Sequence, residues 1–214
     1  MIGVLISPGK FFDNLDNFGY KIVAAVAFLS AVPSALTQYL IISNMLHLFP
    51  PEIRPILQIS SVFGIVISFI VTFILILVVA GIVHLISGFF GGEGEFVRTA
   101  TVAGYGMIPS IILSYIQVGI FLYTLNQYGG FNSPQELIGF ITDQTRITSN
   151  VILSVAGAFW SVAVMSSGIS KIRKIQYSKA LISCLIPFLL YLGYLIYGIY
   201  SIKSLENLKT LSAL

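Results

Sequence analysis

Ile56 to Phe90 reads ILQISSVFGIVISFIVTFILILVVAGIVHLISGFF, a run whose one ionisable side chain is His84. A helix needs about 20 apolar residues to cross a hydrocarbon core about 30 Å thick. This run exceeds that length. In lipid a backbone must satisfy its own hydrogen bonds, so the run is predicted to be a helix. It is also too long for one span at right angles to the bilayer, since as a single helix it would measure about 50 Å. It must tilt strongly, emerge from the membrane, or break, and Gly81 is the candidate break.

Four further runs of the same kind flank it. They cover 22–46 before it and 99–128, 147–170 and 180–202 after it. Alternating strands, the mark of a membrane barrel, are absent. The composition agrees: 57% of residues are hydrophobic and 9% are charged, against about a quarter charged in a soluble domain. So few charges cannot solvate a surface, and lipid must be the main solvent. The fold expected is all-α, a polytopic membrane bundle of about five spans forming one domain, 1–214. A short first apolar region with a cleavage site is not seen, so no cleavable signal peptide is expected.

Two short helices are expected outside the spans. In the first twenty residues, Ser7 suits an N-cap and Pro8 the first helical position. Phe11, Phe12, Leu15 and Phe18 then share one face, which would lie in the membrane plane or pack on the bundle end. After the third span, Ser133-Pro134-Gln135-Glu136 starts like a capping box, with Leu137, Ile138, Phe140 and Ile141 following.

Lys and Arg near span ends set orientation. Lys10, Lys21, Arg98, Lys171, Arg173, Lys174 and Lys179 fall on the N-terminal side, and Arg54, Arg146, Lys203 and Lys209 on the other. Seven against four favours a cytoplasmic N-terminus in the cell membrane, with the C-terminus outside.

Small residues must hold helices together where lipid removes the hydrophobic drive. Ser60, Gly64, Ser68 and Thr72 form one such face; Ser154, Gly157, Ala158, Ser161 and Val162 form another. Pro33, Pro109 and Pro187 each delete a backbone donor within a span, and a bend is expected at Pro109. Tyr191 and Tyr194 lie deep enough in the fifth run to place their hydroxyls inside the bundle.

Little here resembles a catalytic site. No HExxH, GxSxG or phosphate-binding loop occurs, and His47 and His84 are far apart. No catalytic residue, cofactor or metal ligand is assigned. His84, an intramembrane ionisable residue, is a functional candidate by default, although a neutral histidine hydrogen-bonded within the bundle is the simpler explanation. Nucleic acid is not an expected partner, because the net charge of +3 is confined to loops rather than forming a basic stripe.

The turn Gly91-Gly92-Glu93-Gly94-Glu95-Phe96-Val97-Arg98-Thr99 leads into Val102-Ala103-Gly104-Tyr105-Gly106-Met107-Ile108-Pro109. This resembles the Yip domain family, membrane proteins named in eukaryotes for interaction with Ypt/Rab GTPases. Its members carry a glycine-rich turn between spans two and three, then a Gly-Tyr-x-x-x-Pro-like element, here Gly104, Tyr105 and Pro109. Pro8-Gly9-Lys10-Phe11-Phe12, Trp160 and Ser178-Lys179-Ala180 resemble further family features. Eukaryotic trafficking members have a longer cytoplasmic N-terminal region tied to partner binding. About 20 residues precede the first span here, as in a bacterial or archaeal member.

The resemblance implies a non-enzymatic protein that organises membrane or recruits partners. Its expected partners are membrane lipids, other membrane or peripheral proteins, and a second copy of itself. The candidate contact residues are Phe11, Phe12, Glu93, Glu95, Arg98, Arg173 and Lys174, which a five-span topology brings to one face. His84, Gly104, Tyr105 and Pro109 are the candidates within the membrane. The alternative is a transporter or channel for a small solute, ion or lipid, suggested by the three prolines and His84.

Overall fold

The computed structural model describes residues 2–211, with side chains to Ser201. The side chains of Lys203 and Lys209, and the chain end at Leu214, lie outside the described residues. The elements are α1 (Ile2–Ile6), α2 (Pro8–Asp13), α3 (Tyr20–Met45) with a 3-10 turn at Leu46–Leu48, α4 (Arg54–Phe89), α5 (Phe96–Gly106), α6 (Ile108–Tyr128), α7 (Pro134–Ile141), α8 (Gln144–Ile172) and α9 (Tyr177–Leu211). Five segments are long and apolar enough to cross a membrane: Tyr20–Leu48, Arg54–Phe89, Phe96–Tyr128, Gln144–Ile172 and Tyr177–Ser201. No strand occurs among the described residues. The chain is therefore a five-span helical membrane protein.

The helices form a ring around a short centre. α3 packs on α4, α4 on α9, α9 on α8, α8 on α6, and α6 on α3. α5 stands inside the ring at one end, against α3, α4 and α8. Its residues Thr99, Ala100, Thr101, Val102, Ala103 and Gly104 are buried in unbroken succession. Only a helix of small side chains can be enclosed on every face this way.

Hydropathy and burial run in opposite directions. α4 is the most apolar span and the most exposed, whereas α8, with its glycines and serines, is half-buried. Lipid tails solvate large apolar side chains as well as protein does, so close approach by small residues decides which helix is central. In α8 a Cβ on Gly157 would lie 3.1 Å from Ser110 Cα. A Cβ on Gly168 would lie 2.5 Å from Val102 Cγ1 and 2.8 Å from the Phe12 ring. The face predicted on α8 thus packs against α6, and Gly168, outside that face, packs against α5 and α2. The face predicted on α4 is only partly used: Gly64 is buried against Gln38 of α3, while Ser60 is exposed.

α4 does not break. It runs 36 residues through Gly81, about 54 Å at 1.5 Å per residue, so it tilts or protrudes. α3 and α9 likewise continue through Pro33 and Pro187. The third span does break, at Met107, two residues before Pro109. Met107 N–H donates to Ala103 O at 3.2 Å and Gly104 O at 3.0 Å, closing α5 tightly. Pro109 then sits in the first turn of α6, where its missing N–H costs nothing.

Short helices cover both ends of the bundle. α2 begins at Pro8 as predicted, but Ser7 makes no side-chain cap. α1 before it was not anticipated. Val4 and Phe12 are buried in the main core, so this segment packs on the bundle end. At the opposite end Ser133 Oγ accepts from Glu136 N–H at 3.2 Å, half of the expected capping box, while Glu136 Oε2 accepts from Asn132 N–H at 2.7 Å, one residue before the N-cap N–H that the box would bond. Phe140 is fully buried there among Phe121, Tyr128 and Phe131. Tyr194 does not turn inward, being 70% exposed; Tyr191 is exposed as well, but part of it lines a cavity within the bundle.

Candidate functional site

The end of the bundle carrying the glycine-rich turn gathers most of the candidate residues. α4 finishes with Gly92 N–H donating to Ser87 O at 2.9 Å and Gly91 N–H to Gly88 O at 2.9 Å. Gly91 and Gly94 have φ of 83° and 96°, conformations that side-chain-bearing residues avoid. The turn delivers Glu93 N–H to Arg173 O at 3.0 Å, joining it to the end of α8.

Arg173 completes the join from the other side. Its guanidinium donates to Gly92 O at 2.9 Å, Gly94 O at 3.1 Å, His84 O at 3.3 Å and His84 Nδ1 at 2.7 Å. Thr99 Oγ1 of α5 lies 2.9 Å from the same imidazole nitrogen. Phe96 meets the ring edge-on at 5.6 Å. Arg173 thus ties together α4, α8 and the turn between α4 and α5, and His84 extends the link to α5.

Arg173 is only 3% exposed, and no carboxylate pairs with it among the described residues. Its Nε lies buried without a partner, and a Cβ on Gly92 would come within 2.9 Å of it. Burial lowers the Arg173 pKa from its ordinary value, but a guanidinium stays charged in proteins. The charge is compensated by the carbonyls of His84, near the C-terminal end of α4, and of Gly92 and Gly94 in the turn that follows it, at the negative end of that helix dipole. A glycine turn is what allows two of those carbonyls to face inward.

The remaining candidates surround this centre. Phe11, Phe12 and Tyr105 form an edge-to-face trio, with ring centroids 5.0 to 6.2 Å apart. Phe11 is half-buried and Phe12 is 3% exposed. The exposed aromatic pair expected from the sequence is therefore an anchor for α2. Arg173, expected among the surface charges, is likewise an interior residue. Exposed on this face are Glu93, Glu95, Arg98 and Lys174, joined by Lys171. Lys174 Nζ pairs with Glu93 Oε2 at 3.2 Å and Lys171 Nζ with Asp13 Oδ2 at 3.0 Å; such exposed pairs add about 1 kcal/mol or less each. Arg98 lies over the Phe18 ring at 4.9 Å.

Gly104 faces α3, with Val23 Cα 3.5 Å from where its Cβ would stand. Gly104, Tyr105 and Pro109 are thus elements of packing around α5. His84 belongs to the end cluster rather than to the middle of the bundle. Sequence reasoning missed three contributors. Thr99 positions His84; Thr101 Oγ1 accepts from Gly19 N–H at 3.0 Å and so fixes the start of α3; Gly168 admits Phe12. The available signal was a run of small and hydroxyl residues, 99–106, too polar to face lipid.

A family model described as Yip1 domain matches residues 2–199. An uncharacterized protein of Methanocaldococcus jannaschii is 30% identical over 125 residues, which is 58% of this chain and 89% of the relative. No solved structure matches.

Proposed function

Taking as premise that the chain belongs to the Yip1 domain family, we propose that it is a non-enzymatic membrane scaffold whose glycine-turn face recruits partner proteins in a trafficking-like role. One observation carries the reading. Arg173 locks the turn between α4 and α5 to the loop after α8, so Glu93, Lys171 and Lys174 occupy fixed positions on a surface where loops would otherwise move. Preorganised charges lose less entropy when a partner docks. The excess of Lys and Arg on this side supports placing it, with the N-terminus, in the cytoplasm and the C-terminus outside the cell membrane. The alternating charge suits a peripheral protein or acidic lipid headgroups.

The transport alternative leaned on the three prolines and on His84 as an ionisable residue within the membrane. His84 is engaged by Arg173 and Thr99, which weakens that support. The test is Lys171→Glu with Lys174→Glu, both exposed and outside the Arg173 network. Loss of a specific partner from pull-downs, with membrane insertion and topology unchanged, is the expected result. Retention of every partner and lipid would reduce the basic loop to a topology anchor and overturn the reading.

A further inference from the structure

Where α5 stops at Gly106, nothing replaces it inside the ring of helices. α6 starts at Ile108 and moves out between α3 and α8. The space left beyond Met107 is a cavity of about 160 Å³. Its polar wall consists of Ser30 and Ser34 from α3, Ser110, Ser114 and Gln117 from α6, and Ser154 from α8. Tyr191 of α9 also lines it, and both Ser34 and Tyr191 are exposed, so the cavity opens sideways where these two residues reach the surface. His84 is not part of this cavity.

The wall has unused hydrogen-bonding capacity. Gln117 Nε2 donates to Asn150 O at 2.9 Å and Ser154 Oγ at 2.8 Å. That commits the amide donors and leaves the Gln117 carbonyl oxygen and the Ser154 hydroxyl hydrogen without partners among the described residues. Ser30 and Ser34 also make no side-chain hydrogen bond among the described residues. Ser110 and Ser114 are already bonded, to Ser161 Oγ at 2.8 Å and Ile111 O at 2.7 Å, and each keeps acceptor capacity.

These features select a ligand chemistry. No lining residue is charged, so an ion would enter without a counter-charge, at high cost in this low-dielectric setting. A plain acyl chain would leave the hydroxyls and the amide oxygen unpaired, which also costs free energy. The volume equals that of about five waters at about 30 Å³ each, which is the scale of a three-carbon polyol. We propose that this cavity binds an uncharged, hydroxyl- or ester-bearing group of glycerol size, delivered through the lateral mouth by a neutral glycerolipid whose acyl chains remain in the bilayer. The exposed apolar flank of α9, including Leu189 and Leu190, would support those chains. The inference is independent of the recruiting face described above, since the two share no residue.

The test uses the full chain in phosphatidylcholine vesicles with a diacylglycerol carrying a photoreactive acyl chain. Labelling should map to α3, α6 and α9 and be displaced by unlabelled diacylglycerol. Ser30→Leu with Ser34→Leu fills the cavity and should lower labelling roughly tenfold. Gln117→Leu, similar in volume, should lower it while the melting temperature reports a folded protein. Ile67→Leu on the exposed face of α4 should change nothing. Displacement of the probe by millimolar free glycerol would assign the site to a soluble polyol rather than a lipid, with the same chemistry. Labelling spread evenly over α4 and the other lipid-facing helices, unaffected by either cavity variant and by glycerol, would overturn the proposal.

Discussion

Arg173 Nη1 lies 2.7 Å from His84 Nδ1, and this contact sets the protonation of both groups. A nitrogen that accepts from a guanidinium holds no proton of its own, so His84 is neutral and Arg173 carries the charge. Arg173→Met would remove a cation and leave the inward carbonyls of Gly92 and Gly94 without their donor. Each buried unsatisfied group costs about 1–3 kcal/mol, and a total loss of about 2–4 kcal/mol is expected. Arg173→Lys should recover only part of it, because an ammonium cannot reproduce the fork that reaches both carbonyls. Thermal unfolding of both variants in detergent measures this; equal stability of Arg173→Met and the parent would show that the cluster contributes nothing.

Gly168 is a sharper packing constraint than Gly104. An added Cβ at 168 would meet Val102 and Phe12 well inside contact distance, while one at 104 finds Val23 at an ordinary 3.5 Å. Gly104→Ala should be close to neutral. Gly168→Leu should push α2 off the bundle end and cost about 1–3 kcal/mol. Limited proteolysis within the first eighteen residues reads the displacement. Unchanged protection in Gly168→Leu would show that α2 is not held by this contact.

Arg146 secures the opposite end. Its Nε donates to Phe140 O at 3.1 Å and its Nη2 to Ile141 O at 2.7 Å, and its guanidinium lies 4.7 Å from the Phe140 ring centroid. Arg146→Ala removes all three contacts from the last turn of α7. Hydrogen exchange should rise in α7 and leave the turn 91–95 unchanged, since the two ends share no contact. Faster exchange at both ends would reveal coupling along the spans.

The spans were legible because bilayer thickness imposes a length and lipid imposes apolarity, both visible in a single sequence. Their edges fell within a few residues of those observed. The breaks were less legible. Gly81 and Pro109 both weaken a helix locally, but the break came at Met107, where Gly104 and Gly106 coincide with Pro109 and α5 has neighbours on every side to satisfy it. α4 met no such conflict and continued. The gathering of Glu93, Arg98 and Lys174 on one face followed from topology alone. The interior position of Arg173 did not, because span-edge arginines normally face headgroups and only the inward carbonyls of a glycine turn make burial affordable. The placement of Phe12 stayed open for a related reason: an amphipathic segment looks the same whether its apolar face meets lipid or a bundle end. Gly168, which decides between them, lies more than 150 residues away.

The proposed direction of the chain across the membrane rests on charge and parity together. α4 is about 54 Å long but unbroken, so it crosses once and five spans remain. The glycine turn and the loop after α8 then share one side, as their hydrogen bonds require, and the turn between α6 and α7 lies on the other. The natural Cys184 is 1% exposed and gives a quiet background for labelling. Gln176 and Asn132 are both exposed, on opposite ends of the bundle, and neither side chain takes part in the Arg173 or Arg146 networks. With seven basic residues on the Gln176 side, Gln176→Cys should be protected from an impermeant maleimide in intact cells and react after permeabilisation. Asn132→Cys should react at once. The reverse pattern would invert the orientation and move the proposed recruiting face outside the cell. Immediate reaction of both would be incompatible with five spans, because one crossing, α8, separates these two loops.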